Sequence, residues 1–450
     1  MHELPINEVL PALKQALERK NNVVLTAAPG AGKTTRVPLA LLDEPWLQGK
    51  KMIMLEPRRL AARMAARYMA SILGERVGET VGYRVHRDTC VSAATRIEVV
   101  TEGVLTRMLQ RDPALEHVGL LLLDEFHERS LQTDLGLALA LESQTVLREE
   151  LRIVVMSATL ETDPVAALLG GAPIIQSEGR QFPIETHYLP QPVQGRIESA
   201  VVAVVQQALR EQNGDMLVFL PGTGEIRRVA RLLQERLTDK TGRVRSLYGD
   251  PWQQQQDEAL APDRQGRRKI VLSTAIAETS LTVEGVQLVV DSGLARAPRF
   301  SPRTGMSRLE TMPVSRAVAN QRRGRAGRLG PGHCYRLWTQ TEDARLPARM
   351  LPEMLAADLA QLRLELAAWG VTDAKTLRWI NAPPDAAYGQ ADALLHQLGA
   401  LDKEGRITAH GRAMSAIGAH PRLAHMLLKA GEANAAEEAA TLIALLSERD

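Results

Sequence analysis

The stretch that most limits how this chain can fold is an apolar run, NVVLTA (22–27), that empties straight into AAPGAGKTT (27–35). A strand, a glycine-rich loop and a helix opening at Thr34 make a cradle for an anion. Backbone N–H groups at a helix N-terminus point at phosphate oxygens, and Gly30 and Gly32 let the backbone approach closely. The phosphate-loop pattern G-x-x-x-x-G-K-[ST] begins with glycine, whereas this chain has Ala27 there. Alanine suits a strand end if its φ is negative. The loop Ala27, Ala28, Pro29, Gly30, Ala31, Gly32, Lys33, Thr34 and Thr35 is therefore expected to bind nucleotide with a slightly altered start. Lys33 is expected to reach the β- and γ-phosphates and the Thr34 hydroxyl to ligate Mg2+.

Such a loop needs a second, acidic site, and LLLLDEFHERS (120–130) supplies one. An apolar strand ending in Asp124 delivers a carboxylate to the metal shell, and Glu125 beside it can orient or deprotonate the attacking water. His127 has the chemistry of a catalytic acid; a coupling or structural role is the preferred expectation.

Short apolar runs alternate with helical spacing over the first three quarters of the chain. KMIMLE (51–56), IEVVT (97–101), LRIVVMSA (151–158) and PIIQS (173–177) read as strands, while RRLAARMAARYMASIL (58–73) and TDLGLALALESQTVL (133–147) read as helices. That alternation predicts a parallel sheet covered on both faces. A Pro-, Gln- and Gly-containing segment, SEGRQFPIETHYLPQPVQGR (177–196), reads as a boundary. A second set of strands follows: DMLVFLP (215–221), RVRSLYG (243–249), KIVLSTA (269–275), VQLVVDSG (286–293) and HCYRLW (333–338). After about residue 345 Ala/Leu helices dominate, with a small β-wing expected in LGALDKEGRIT (398–408). At 450 residues two to four domains are expected. The last helix has no C-cap glycine, which predicts that the chain continues in something longer.

Composition narrows the partners. No apolar run is long enough to span a bilayer, the N-terminus MHELPINEVL lacks a signal pattern, and two cysteines exclude a disulfide framework; a cytoplasmic setting is expected. Net charge is only +2, yet Leu294 to Gly330 holds nine arginines against the single acid Glu310. A solvated basic face would explain that run by itself. With aromatics at 3%, any nucleic-acid affinity must rest on phosphate contacts rather than base stacking.

The motifs together resemble a known family. DEFH (124–127) looks like a DEAH box with Phe126 in place of alanine, and the other signatures of helicase superfamily two stand in the family's order. These are EPRRLAA (56–62), TEGVLTR (101–107), SAT (157–159), VFLPGTGEI (218–226), STAIAETSLT (273–282) and QRRGRAGR (321–328). GRQFPIE (179–185) and GHCYRLW (332–338) fit as well, and the wording is closest to the bacterial HrpB-type DEAH-box helicases.

The resemblance implies an α/β fold of two tandem RecA-like lobes with parallel sheets and a mostly helical C-terminal region. Residues 1–180 would form lobe 1 and 181–345 lobe 2, with a winged-helix-like domain over 346–410 and the start of a ratchet-like helical domain over 411–450. It implies an NTP-dependent RNA helicase or translocase moving 3′ to 5′ along single-stranded RNA, using ATP and other NTPs with Mg2+. Arg325 and Arg328 would be arginine fingers and Gln321 would contact the γ-phosphate or the water. Ser157 and Thr159 would couple the nucleotide to the nucleic-acid track. Arg58, Arg59, Thr101, Gly103, Gly222 and Thr274 would line that track, with Arg299 and Arg303 on a β-hairpin, ARAPRFSPRTGMSRLETM (295–312). Ala275 departs from the family pattern, in which many relatives carry asparagine. The rivals are a DNA-directed translocase of the same fold and a non-catalytic RNA-binding scaffold. Retention of Lys33, Asp124, Glu125, Arg325 and Arg328 argues against the scaffold.

Overall fold

The computed structural model describes residues 4–158, 162–179, 182–237, 242–248, 263, 266–278, 283, 285–301, 306–328 and 330–447. Eight strands build the first sheet: β1 (Asn22–Ala27), β2 (Lys51–Leu55), β3 (Val81–Val85), β4 (Asp88–Cys90), β5 (Ile97–Val100), β6 (Val118–Leu123), β7 (Arg152–Ser157) and β8 (Ile174–Ser177). Their order is β4-β3-β5-β2-β6-β7-β1-β8, parallel throughout except for β4, which runs antiparallel on the edge. Parallel neighbours put the C-terminal strand ends on one side of the sheet. Ala27, Leu55, Val100, Leu123 and Ser157 thus deliver the phosphate loop, EPRR, TEG, DEFH and SAT motifs to the same rim.

The second sheet holds β9 (Ile184–Tyr188), β10 (Asp215–Phe219), β11 (Arg243–Leu247), β12 (Lys269–Ser273), β13 (Val286–Asp291) and β16 (Gly332–Arg336), in the order β11-β12-β10-β13-β16-β9. Between β13 and β16, β14 (Leu294–Ser301) and β15 (Met306–Pro313) form the expected antiparallel hairpin. The fold is two RecA-like lobes with a helical C-terminal region.

Two departures from the sequence reading stand out. The segment read as a boundary contains β9, which pairs in register with β16 from Ile184↔Gly332 to Tyr188↔Arg336. Its flanking prolines hid it, as did the part-exposed Glu185, Thr186 and His187 that an edge strand tolerates. The antiparallel β3–β4 pair was also not expected.

The C-terminal helices do not stand apart from lobe 1. Leu359, Leu362 and Leu366 share one apolar cluster with Leu135, Leu137, Leu139 and Leu141. This explains why the helix Leu131–Val146 is apolar almost all round: one side meets the sheet and the other the C-terminal region. Each fully buried leucine contributes roughly 1.5–3 kcal/mol. Leu131 N–H donates to Glu353 at 2.8 Å and Arg129 Nη2 to Asn381 at 2.9 Å, pinning the same junction. A second small core around Leu364, Leu395 and Met414 carries the antiparallel Leu401–Ile407 bridge of the expected wing.

Candidate active site

The phosphate loop has the backbone its glycines imply. Ala27 ends β1 buried and is not among the residues with positive φ, whereas Gly30 (φ +86°) and Gly32 (φ +96°) are left-handed. Gly32 precedes the helix Lys33–Ala40, and a Cβ there would stand 2.8 Å from Leu4. Ile6 N–H donates to Ala31 O at 3.2 Å, so an N-terminal turn braces the loop from outside.

Below the loop, Lys33 Nζ lies 2.7 Å from Glu125 Oε1 and 3.3 Å from Asp124 Oδ1, all three side chains buried. Thr34 Oγ1 donates to Asp124 Oδ2 at 2.5 Å, and the other Asp124 oxygen accepts the Glu125 N–H at 2.8 Å. Burial opposes charge on Lys33, but Asp124 and then Glu125 outweigh it, so the ammonium is held above its ordinary pKa. Burial also pushes Glu125 up, and Lys33 above all overcomes it, bringing the carboxyl down to about 2. At Asp124 burial wins and the pKa is raised. Glu125 itself is left-handed, φ +51°, at the sharp turn after β6. A non-glycine residue held there costs about 1–2 kcal/mol, strain of the kind that accumulates at functional sites.

His127 links this centre to the neighbouring strand. Its Nδ1 accepts the Ala158 N–H at 3.2 Å and its Nε2 lies 3.4 Å from Glu125 Oε2. Burial lowers its pKa, and the backbone bond to Nδ1 leaves the proton of the neutral ring on Nε2, facing Glu125. Ser157 is buried at the end of β7; Thr159 lies outside the described residues.

The second lobe closes over the loop. A Cβ on Gly30 would stand 3.2 Å from the guanidinium carbon of Arg328. Arg325 Nε donates to Glu278 O at 3.0 Å. Burial and the neighbouring Arg328 hold Arg325 well below the usual arginine range. Burial brings Arg328 down to about 10 despite the charge of Glu125. Gln321 lines a cavity of about 760 Å³ with Arg58, His127, Ser157 and Thr162, on the His127 side of the acids.

The arginine run divides by role. Arg322 is fully buried, donating to Asp291 Oδ1 at 2.8 Å and to Leu294 O at 3.2 Å over the Phe219 ring, with Glu278 3.7 Å away. Arg323 Nε donates to Thr186 Oγ1 at 2.8 Å. Sequence reasoning missed these anchors, together with Glu278 and Glu128, although both acids lie inside or beside the quoted motifs.

The residues expected along a nucleic-acid track are less uniform. Arg58 bridges the lobes, Nη2 to Glu128 at 2.9 Å and Nη1 to the carbonyl of Ala275. Arg59 and Gly103 are exposed, Thr101 is buried before the helix Glu102–Arg111, and Thr274 is half-buried. Gly222 is buried under Arg296, whose guanidinium carbon would be 2.8 Å from a Cβ there. Arg299 is exposed and paired with Glu310 at 3.2 Å, and Arg303 lies outside the described residues.

Comparison with known proteins gives this geometry a family. A DEAD/DEAH box helicase domain matches residues 8–168 and a helicase conserved C-terminal domain residues 199–330. A helicase associated domain (HA2), winged-helix, matches residues 393–418. The chain is 49% identical over 451 residues to the ATP-dependent RNA helicase HrpB of Escherichia coli (strain K12), covering 100% of this chain and 55% of that protein. The chain belongs to the HrpB-type DEAH-box helicases. Two solved structures of HrpB-type helicases agree with its shape. The E. coli DEAH/RHA helicase HrpB superposes with a TM-score of 0.94 at 48% identity, covering 99% of this chain and 57% of that one. The E. coli DExH-box NTPase HrpB does so with a TM-score of 0.88 at 48% identity, covering 100% and 55%. The chain thus spans about half the length of the HrpB-type relatives it matches. Among the described residues no helix is long and apolar enough to cross a membrane.

Proposed function

We propose that this chain is the NTP-hydrolysing part of an RNA helicase, working in the cytoplasm on single-stranded RNA and moving 3′ to 5′. One observation carries the reading: Lys33 and Glu125 of lobe 1 share a buried cleft with Arg325 and Arg328 of lobe 2. A nucleotide site completed by both lobes ties turnover to their closure. The domain limits at 180, 345 and 410 belong to the same proposal.

The Thr34 hydroxyl and Asp124 carboxylate form an all-oxygen pair suited to a hard cation, and the buried Asp124 gains from a nearby positive charge. They would hold Mg2+, which neutralises charge on the β- and γ-phosphates when bound. Lys33 then leaves Glu125 for the phosphates, which releases the Glu125 carboxylate to accept or direct the proton of the attacking water. Arg325 and Arg328 stabilise charge on the transferring group. His127 passes the state of Glu125 to the Ala158 backbone and so to SAT. Gln321 acts from the same side. Arg59, Thr101, Gly103 and Thr274 receive the RNA backbone; Gly222 does so once Arg296 moves, and Arg299 and Arg303 bind RNA phosphates from the hairpin.

Steady-state hydrolysis of ATP and of other NTPs, with and without single-stranded RNA and DNA of equal length, tests the reading. Stimulation by RNA over DNA is expected. Equal or greater stimulation by DNA favours the DNA-directed translocase, and no hydrolysis at all favours the scaffold.

A further inference from the structure

A group of metal-ligand side chains sits away from the nucleotide cleft, on the β9 edge of lobe 2. Side chains two apart on a strand share a face, so Glu185 and His187 project together from β9. In the adjoining strand His333 pairs in register with Glu185, and Tyr335 with His187. The donor atoms converge: His187 Nε2 is 3.2 Å from His333 Nδ1 and 3.9 Å from Glu185 Oε1, and His333 Nδ1 is 3.5 Å from Glu185 Oε2. A tetrahedral site with bonds of ~2.0–2.1 Å has donor–donor edges of about 3.4 Å. These spacings match that figure with small side-chain adjustments.

We propose that Glu185, His187 and His333 bind one divalent transition-metal ion of the zinc class. Two imidazoles and a carboxylate suit Zn2+, Ni2+ or Cu2+ and not the Mg2+ of a phosphate site. The 3.2 Å histidine contact and the Glu185 carboxylate 3.9 and 3.5 Å from the two rings bring three donors to one point. The Glu185, His187 and His333 side chains are 66%, 31% and 24% exposed, so an ion enters from solvent and water completes its shell. The rings are held in place: His187 stacks on Tyr335 with centroids 4.5 Å apart, and the Tyr335 hydroxyl is anchored 3.2 Å from Glu211.

The ion's role is to clamp an edge. Among the described residues β9 has only β16 as a neighbour. Its opposite face takes the Arg323 bond at Thr186, and the Ile184 carbonyl accepts Arg323 Nη2 at 2.9 Å. Arg323 stands two residues before Arg325. A metal across β9 and β16 therefore fixes, from behind, the strand on which the finger-bearing segment rests.

The test uses the full chain without a histidine tag, stripped with chelator and dialysed, then titrated with Zn2+ and Co2+ under excess Mg2+. One tightly bound Zn2+ per chain is expected, with a rise in Tm, and Co2+ should give the visible absorption of a low-coordinate nitrogen/oxygen site. His187→Asn and His333→Asn should each weaken Zn2+ binding by more than about 100-fold and Glu185→Gln by about tenfold, while basal NTP hydrolysis persists. Retention of the site in the His187→Asn, His333→Asn double variant would overturn the proposal. So would its loss in His410→Asn, which disrupts a second close histidine pair, at 2.9 Å from His425. The wild-type Co2+ spectrum needs no variant, and its absence is equally decisive against the site.

Discussion

Arg328 of the second lobe is stacked against Gly30 of the first, closely enough that even a methyl group on residue 30 would stand 3.2 Å from its guanidinium carbon. Arg325→Ala and Arg328→Ala should each cut ATP turnover by ~10³-fold or more, as loss of an arginine finger does. RNA affinity without nucleotide should barely change. Arg299→Ala on the hairpin should do the reverse: hydrolysis survives, RNA binding weakens, and its salt slope falls by about one. Normal basal hydrolysis in the Arg325→Ala, Arg328→Ala double variant would remove the assignment.

Arg322, three residues from a finger, should behave differently again. Removing it strands Asp291 and Glu278 in the core of lobe 2. Arg322→Ala should cost about 3–5 kcal/mol in chemical denaturation, as breaking a buried ion pair does. A variant as stable as wild type but inactive would show Arg322 to be catalytic instead.

Glu125→Gln keeps size and removes the base. Nucleotide binding, read by fluorescence titration, should persist while turnover falls about 10²- to 10⁴-fold. Hydrolysis near the wild-type rate would end the role proposed for Glu125.

Lys33→Ala leaves two buried carboxylates without their cation. Without Lys33 the folded-state pKa of Glu125 should rise and that of Asp124, already raised by burial, should rise further. An acid whose folded pKa lies above its unfolded value costs stability once pH exceeds the unfolded value near ~4, and costs nothing below it. The loss of Tm in Lys33→Ala should thus be larger at about pH 8 than at about pH 4. Thermal melts at both values decide it; an equal loss would mean that Lys33 contributes by packing alone.

At Ala27 the expected effect is small. Its backbone already suits alanine, so Ala27→Gly should shift ATP affinity by less than about tenfold, or ~1.4 kcal/mol. Binding that appears only in the glycine variant would show the loop to be defective as it stands.

What the sequence revealed follows from where its information is local. The phosphate loop and DEFH were legible because each is a buried strand ending in a few polar residues, and parallel pairing brings such ends together. β9 was not, because its pattern is that of a half-exposed edge and its partner lies far along the chain. The arginine run showed its charge but not its division: Arg322 turns inward to Asp291, while Arg328 reaches across to Gly30. Arg58 looked like a nucleic-acid contact, yet it meets Glu128 and the Ala275 carbonyl, a partnership no local spacing predicts. The apolar helix Leu131–Val146 gave no hint that part of its cover comes from beyond residue 350.

The place of β9 also bears on how the protein is made. Among the described residues the first sheet has all its strands once Ser177 exists, but β9 pairs with β16 alone, with Tyr188 and Arg336 148 positions apart. At the usual ~5–20 residues per second, β9 waits on the order of 10 s beyond the ribosome before that partner emerges. Lobe 1 can condense around β1 in the meantime, while lobe 2 keeps an open strand until nearly its last residue is added. Long-range pairing of this kind is slow and prone to aggregation. Substitutions along the β9–β16 seam are therefore expected to lower the yield of soluble protein before they alter its turnover.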